Sequence, residues 1–312
     1  MKTILIGEND CDQRVDKFLT KTFKSLPKSL MHKHIRKKNI KINGKSCKAS
    51  TKLLFGQELS LYLADDLLLL RDKRIRALEI SKKLNIVYED KNIILVDKDP
   101  GIVCQPDKNN LSDSLIDRIK CYLYLKKEYI PEEEKSFSPS LINRIDRNTS
   151  GLVLAAKNAK ALRVACEKMR DREIRKFYIC VVEGHLAKKK DEISNYIKKN
   201  KKNNKVRVFN NNVEDSKYAV TKYQVLSENN GNSLIKVEIL SGRSHQIRSQ
   251  FANIGHPLLA DHKYGSHSAG FFCPALRSYK LKFCFKNSAG VLDYLSERQF
   301  KISIDRFLEK FF

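Results

Sequence analysis

The chain has 312 residues, with 61 Lys+Arg against 36 Asp+Glu and a net charge of +25 at pH 7. That length excludes a peptide scaffold and fits one large domain with a small companion, and the charge makes a polyanion, nucleic acid first, the expected large partner. No apolar run approaches the roughly 18 residues of a membrane span, and the N-terminus lacks a signal-peptide core, so a cytoplasmic protein without membrane contact is expected.

After a short strand at Ile4 to Ile6, Val15, Phe18, Leu19 and Phe23 fall at helical spacing, with Asp12 placed as the cap. Pro27 breaks that helix. Leu30, His34 and Ile35 predict a second, basic helix leading into Ile40-Lys41-Ile42, a turn at Asn43-Gly44 and another strand, and Leu59, Leu61 and Leu63 alternate against Ser60 and Tyr62. From Lys21 to Lys52 there are ten lysines, Arg36 and no acid. A merely solvated surface carries both signs, so this run points to a nucleic-acid face on which Lys33, Arg36, Lys37 and Lys38 share a helix end. Residues 1–70 are expected to form a small α/β nucleic-acid-binding domain, 71–83 a linker, and 84–312 the main domain.

The main domain opens with an expected hairpin, Ile86 to Asp90 and Ile93 to Lys98, then a turn at Pro100-Gly101, a helix through Leu115 and Ile119, and a polar loop from Pro131 to Pro139. The central stretch is Asn143-Arg144-Ile145-Asp146-Arg147-Asn148-Thr149-Ser150-Gly151, followed by the strand Leu152 to Ala156. A carboxylate between two arginines, on a turn at a strand's lip, is where chemistry tends to sit. Asn158 should cap a helix whose Leu162, Ala165, Cys166 and Met169 share one face. A strand Lys176 to Glu183 follows, and the Lys/Asn-rich segment from Lys198 to Asn212 reads as a hairpin or loop without apolar anchors. Strands Tyr218 to Val225 and Leu234 to Ile239 lead to Ser241-Gly242-Arg243-Ser244-His245-Gln246-Ile247-Arg248. Here Gly242 is expected to make a tight turn before a helix that buries Ile247, Phe251 and Ile254 and stops at Gly255. A strand from Tyr279 and a closing helix complete an α+β fold around a mixed, mostly antiparallel sheet with flanking helices.

Eight scattered cysteines without a Cys-x-x-Cys pair, and histidines without ligand spacing, predict buried free thiols and neither metal nor disulfide.

Two resemblances follow from these stretches. "RVDKFL", the basic helix and "IKINGK" resemble the small RNA-binding domain shared by ribosomal protein S4 and tyrosyl-tRNA synthetase. "NRIDRNTSG", "RKFYICVVEG" and "SGRSHQIRSQFANIGHPLLADHKYG" together resemble the three motifs of the RluA family of pseudouridine synthases, over roughly residues 84 to 290. Asn143, Ile145, Gln105 and Ser249-Gln250 depart from the family's usual residues. The resemblance implies conversion of uridine to pseudouridine without a cofactor, with Asp146 as nucleophile, Arg248 as its ion-pair partner and Tyr178 stacking on the base and taking a proton. Arg144 would fill the gap left by the flipped base, and Arg147, Arg243 and His245 would contact RNA. It further implies a monomer acting on 23S ribosomal RNA or a large-subunit assembly particle. A tRNA substrate, or a non-catalytic RNA-binding or ribosome-assembly role, are the alternatives.

Overall fold

The computed structural model describes residues 1–70, 84–106, 113–200, 203–268 and 270–312. The expected linker, 71–83, lies outside them.

The first unit has strands β1 (Lys2–Leu5), β2 (Ile40–Ile42), β3 (Lys45–Ser46) and β4 (Glu58–Leu61) in the order β1-β4-β2-β3, with helices α1 (Val15–Thr22) and α2 (Lys28–Arg36). Val15, Phe18, Leu19 and Phe23 are buried with Ile40, Leu59 and Leu61, as their spacing predicts. Asp12 is not the cap. Arg14 occupies that position, while Asp12 sits two residues earlier with a left-handed φ of 57°. In α2 the buried residues are Met31 and Ile35, rather than Leu30 and His34, because the core lies one residue further round the helix. Lys33, Arg36, Lys37 and Lys38 are exposed.

The second unit is built on a sheet ordered β11-β10-β12-β13-β9-β14-β8-β6-β5. Its strands are β5 (Ile86–Glu89), β6 (Ile93–Lys98), β7 (Ser140–Leu141), β8 (Ser150–Ala156), β9 (Ile174–Glu183), β10 (Lys190–Asn200), β11 (Lys205–Phe209), β12 (Lys217–Asn229), β13 (Asn232–Ile239), β14 (Leu276–Phe283) and β15 (Gln299–Lys301). The hairpin expected from Ile86 is the antiparallel pair β5–β6. The pairing of β8 with β14 is parallel, and the other pairings between these named strands are antiparallel. One face packs α3 (Leu115–Leu125) and α5 (Gln246–Asn253) through Leu115, Ile119, Ile247 and Phe251. The other packs α4 (Ala159–Arg170) through Ala161 and Ala165, and α6 (Asp305–Phe311) through Phe307 and Phe311. The result is the α+β fold around a mixed, mostly antiparallel sheet that the pattern predicts.

Several local readings change. Asn158 does cap α4, its Oδ1 accepting from Ala161 N at 2.8 Å, but Cys166 is exposed and Ala159 and Ala161 are buried instead. Cys11, Cys104, Cys121 and Cys180 are buried as expected, whereas Cys47, Cys273 and Cys284 are half-buried. The Lys/Asn-rich segment contributes to the paired strands β10 and β11, and it does have an apolar anchor: Val206 packs with Ile197, Ala219 and Tyr264. Ile254 is exposed, since α5 ends before its apolar face returns to the core. The left-handed residue before α5 is His245, with φ 49°, and not Gly242.

Gly151 is where the parallel pair closes. At its φ of 113° a β-carbon would lie 2.1 Å from the Ser278 carbonyl oxygen, so only glycine lets β8 and β14 meet. The polar loop from Pro131 carries Ser136, whose N–H and Oγ–H both donate to Asp10 of the first unit, at 3.0 and 2.6 Å.

Candidate active site

Asp146 sits on the loop entering β8, and that loop is clamped from three sides. Asn143 acts as a substitute strand residue: its Oδ1 accepts from Leu154 N at 2.7 Å and its amide donates to Leu152 O at 3.3 Å. Ile145 meets the Cys104 thiol through both its N–H and its carbonyl. The Arg147 carbonyl accepts from Gly101 N and from the Lys98 ammonium, each at 2.9 Å. Lys98 is 1% exposed and also donates to the carbonyls of Asp99 and Ile102. Burial pulls its pKa down to about 8, against the attraction of Cys104, Asp146 and other neighbours. The departures at Asn143 and Gln105 are thus part of this loop's support, because Gln105 Oε1 accepts from the exposed Arg144 at 3.1 Å.

From the other half of the sheet, α5 brings Arg248 to the same place. Its helix is fastened to β12 by Gln246, which donates to Val220 O and Thr221 Oγ1, and by the buried Gln250, which accepts from Thr221. Arg248 Nη1 donates to Asp146 Oδ2 at 3.1 Å. Its Nε and Nη2 donate to both oxygens of Asp261, at 2.6 and 2.8 Å. Asp261 is 1% exposed, so this planar fork on a buried carboxylate is the stronger attachment. Burial works against the arginine's charge, and Asp261 first, then Asp146, more than offset it and raise its pKa.

Tyr264 closes the pocket. The Arg248 guanidinium lies 5.2 Å from the Tyr264 ring centroid, and the Tyr264 hydroxyl accepts from Val206 N at 2.9 Å and meets His245 Nδ1 at 2.8 Å. His245 Nε2 is 4.0 Å from Asp146 Oδ2. Burial holds the His245 pKa below the ordinary histidine value, opposed by Asp146 and assisted by Arg248, Lys263 and Lys199. Tyr178, on β9, is buried under the site, and burial raises its phenol pKa well above the ordinary value, with the Asp146 charge adding to the rise.

Asp146, Arg248 and His245 of the predicted set therefore converge, with Arg144 and Arg147 exposed on the same loop. Arg243 lies outside the cluster, exposed and donating to Tyr218 O at 3.2 Å, and the four basic residues of α2 and its end are on the first unit. Sequence reasoning assigned no role to Asp261, Tyr264 or Lys98. Asp261 and Tyr264 lie inside the third quoted motif, and the signal available was an acid directly following the apolar run Leu258 to Ala260. Among the described residues no three His, Cys, Asp or Glu side chains gather as metal ligands.

A carboxylate with one oxygen tied to a fixed guanidinium and the other without such a tie is built for bond-making at the second oxygen. The segment from residue 92 to residue 253 matches the family model described as RNA pseudouridylate synthase. A Mycoplasma capricolum protein named as an uncharacterized RNA pseudouridine synthase is 31% identical over 301 residues, covering 96% of each chain. The ribosomal large subunit pseudouridine synthase C of Buchnera aphidicola is 32% identical over 266 residues, 84% of this chain and 80% of that one. Among solved structures, human RNA pseudouridylate synthase domain containing 4 aligns with a TM-score of 0.56 over 72% of this chain and 90% of that one, at 19% identity, a likeness of fold. Motifs, sheet and relatives agree that the chain belongs to the RluA-type RNA pseudouridylate synthases, isomerases that turn uridine in RNA into pseudouridine.

Proposed function

We propose that the protein modifies large-subunit (23S) ribosomal RNA, free or in an assembly particle, with Asp146 as the nucleophile. Converting uridine to pseudouridine breaks the N1–C1′ bond, turns the uracil and rejoins it through C5, so the reaction needs a nucleophile and a proton acceptor. Asp146 either attacks C1′ or provokes departure of the uracil as an anion. The observation that carries this reading is the single hydrogen bond from Arg248 Nη1 to Asp146 Oδ2, with Arg248 held from behind by Asp261. Arg248 is thereby a fixed counter-charge that need not reorganise as the bond forms.

Tyr178 supports the base from below in this reading. Its raised pKa makes it a weak base at neutral pH, so stacking is its main contribution and proton removal follows only once charge develops in the complex. Arg144, exposed and steered by Gln105, fills the gap left by the flipped nucleotide, which costs on the order of a few kcal/mol to unstack. Arg147, Arg243 and the first unit's Lys33, Arg36, Lys37 and Lys38 contact phosphates. Residues 1–70 act as an S4-like RNA-binding domain, 71–83 as its connection, and 84–312 as the catalytic domain. The ribosomal assignment leans on the Buchnera relative's name. Carbodiimide mapping of pseudouridine in rRNA and tRNA, from cells with and without the gene, tests it: a stop lost from 23S rRNA alone is expected, and one lost only from tRNA overturns it.

A further inference from the structure

His245 occupies a position that neither RNA contact nor simple helix capping explains. It precedes α5 with a left-handed φ of 49°, a conformation that a histidine adopts at a cost in backbone strain, and its side chain makes no cap hydrogen bond. Its ring is mostly buried and turned inward. Nδ1 is 2.8 Å from the Tyr264 hydroxyl, the rings meet edge to face with centroids 5.7 Å apart, and Nε2 points to Asp146 Oδ2 at 4.0 Å.

The hydrogen-bond pattern suits one tautomer of the imidazole. Tyr264 accepts from Val206 N and can give its own proton to His245 Nδ1. A neutral imidazole then carries its hydrogen on Nε2, facing the carboxylate. The neutral form is favoured because burial and the nearby Arg248, Lys263 and Lys199 disfavour a further positive charge, against the pull of Asp146.

We propose that His245 is a positioning residue for Asp146: its Nε2–H, held in that tautomer by Tyr264, joins Arg248 on Oδ2 once RNA fills the pocket and leaves Oδ1 as the oxygen that reacts. Both donors converge on one oxygen, Arg248 Nη1 at 3.1 Å and His245 Nε2 at 4.0 Å, and closing the second distance by about 1 Å makes an ordinary charge-assisted hydrogen bond. Contacts of this kind are often long in the free enzyme and shorten in the reactive complex. The proposal rests on Asp146 being the nucleophile.

The test is single-turnover tritium release from a large-subunit rRNA transcript labelled with 5-tritiated uridine, at saturating enzyme, with RNA affinity measured by filter binding. His245→Ala is expected to slow the step on the order of 10- to 100-fold, the range of one hydrogen bond to a charged group, with affinity within about twofold. His245→Gln, which keeps an N–H near the Nε2 position, is expected to recover most of that rate. Alanine and glutamine bear the same left-handed backbone, so their difference reports the donor. His245→Gly removes the strain without restoring the donor and is expected to stay slow. A glycine variant as fast as wild type, or an alanine variant with a normal rate, overturns the proposal in favour of a backbone role. If the alanine variant does not fold, Tyr264→Phe decides: it frees the tautomer, and a several-fold slower step at unchanged affinity is expected, whereas a normal rate overturns the proposal. Asp146→Asn runs in the same assay. Turnover by that variant removes the nucleophile reading and this proposal together, while an inactive Asp146→Asn beside a fast His245→Ala removes this proposal alone.

Discussion

Arg248 gives two hydrogen bonds to Asp261 and one to Asp146, so the fully buried acid, and not the half-buried one, decides where the guanidinium stands. Asp261→Asn should therefore harm fold and chemistry together. Removing one partner of a buried pair leaves an uncompensated charge, worth about 3–5 kcal/mol. A lower melting temperature and a slower single-turnover rate are expected from the same sample. An unchanged melting temperature would show that the pair adds nothing to stability.

Asp146→Asn should behave in the opposite way. Arg248 keeps its two bonds to Asp261, so the fold should lose less than about 1 kcal/mol, the scale of a partly exposed pair. Turnover should vanish while RNA binding survives, because the carboxylate supplies bond chemistry and little affinity. Melting, filter binding and tritium release together check the pattern, and turnover near the wild-type rate would take the reaction away from Asp146.

Lys98 predicts an alkaline limb. As an ammonium it has three N–H groups for three carbonyls, those of Asp99, Ile102 and Arg147; as an amine it has two. Its pKa of about 8 means that the clamp on the Asp146 loop loosens as pH passes that value, and the rate should fall there. The stability term has the other sign. Because the folded pKa lies below the ordinary lysine value, the unfolded chain binds more protons between about pH 8 and 10.5, and this residue's contribution to stability rises with pH across that window. A rate that falls with no matching fall in melting temperature is the expected signature, and Lys98→Met should abolish the inflection.

The basic end of α2 sets a salt test. Lys33 and Arg36 are exposed on a unit remote in sequence from Asp146, within a run that lacks acids. Reversing both to glutamate should flatten the plot of log RNA affinity against log salt by about 0.7 to 0.9 per lost phosphate contact, with the saturated single-turnover rate within about twofold of wild type. An unchanged slope would take these two residues off the RNA.

Much of this was legible because local chemistry and fold agree. Val15, Phe18 and Leu19 repeat at helical spacing and are buried, Asn158 is a strong cap and caps, and the Ile86–Lys98 hairpin pairs as its pattern predicts. The misses have physical causes. Asp12 has capping chemistry, but a β-bridge between Arg14 and Lys52 fixes the chain so that Arg14 opens the helix. The Lys/Asn-rich segment looks unanchored because its apolar content is only Val206, Val208 and Phe209, and the packing of Val206 depends on Tyr264 more than fifty residues later. Gly242 looked like the residue for the tight turn before α5, and the left-handed residue there is His245 instead. Asp261 was invisible as a partner because ion pairing across 13 residues leaves no period in the sequence.

The position of β14 has a consequence for how the enzyme comes into being. It is the last long strand of the sheet, yet it lies between β9 and β8 and is hydrogen-bonded to both. The loop bearing Asp146 belongs to the side that contains β8, while Tyr178 and Arg248 belong to the side that contains β9. During synthesis these sides can each form hairpins early, but the seam between them stays open until residues 276–283 have left the ribosome. Such a long-range insertion is a slow step by its topology. Catalytic competence therefore arrives late and all at once, when one C-terminal strand draws the nucleophile and its counter-charge into a single pocket.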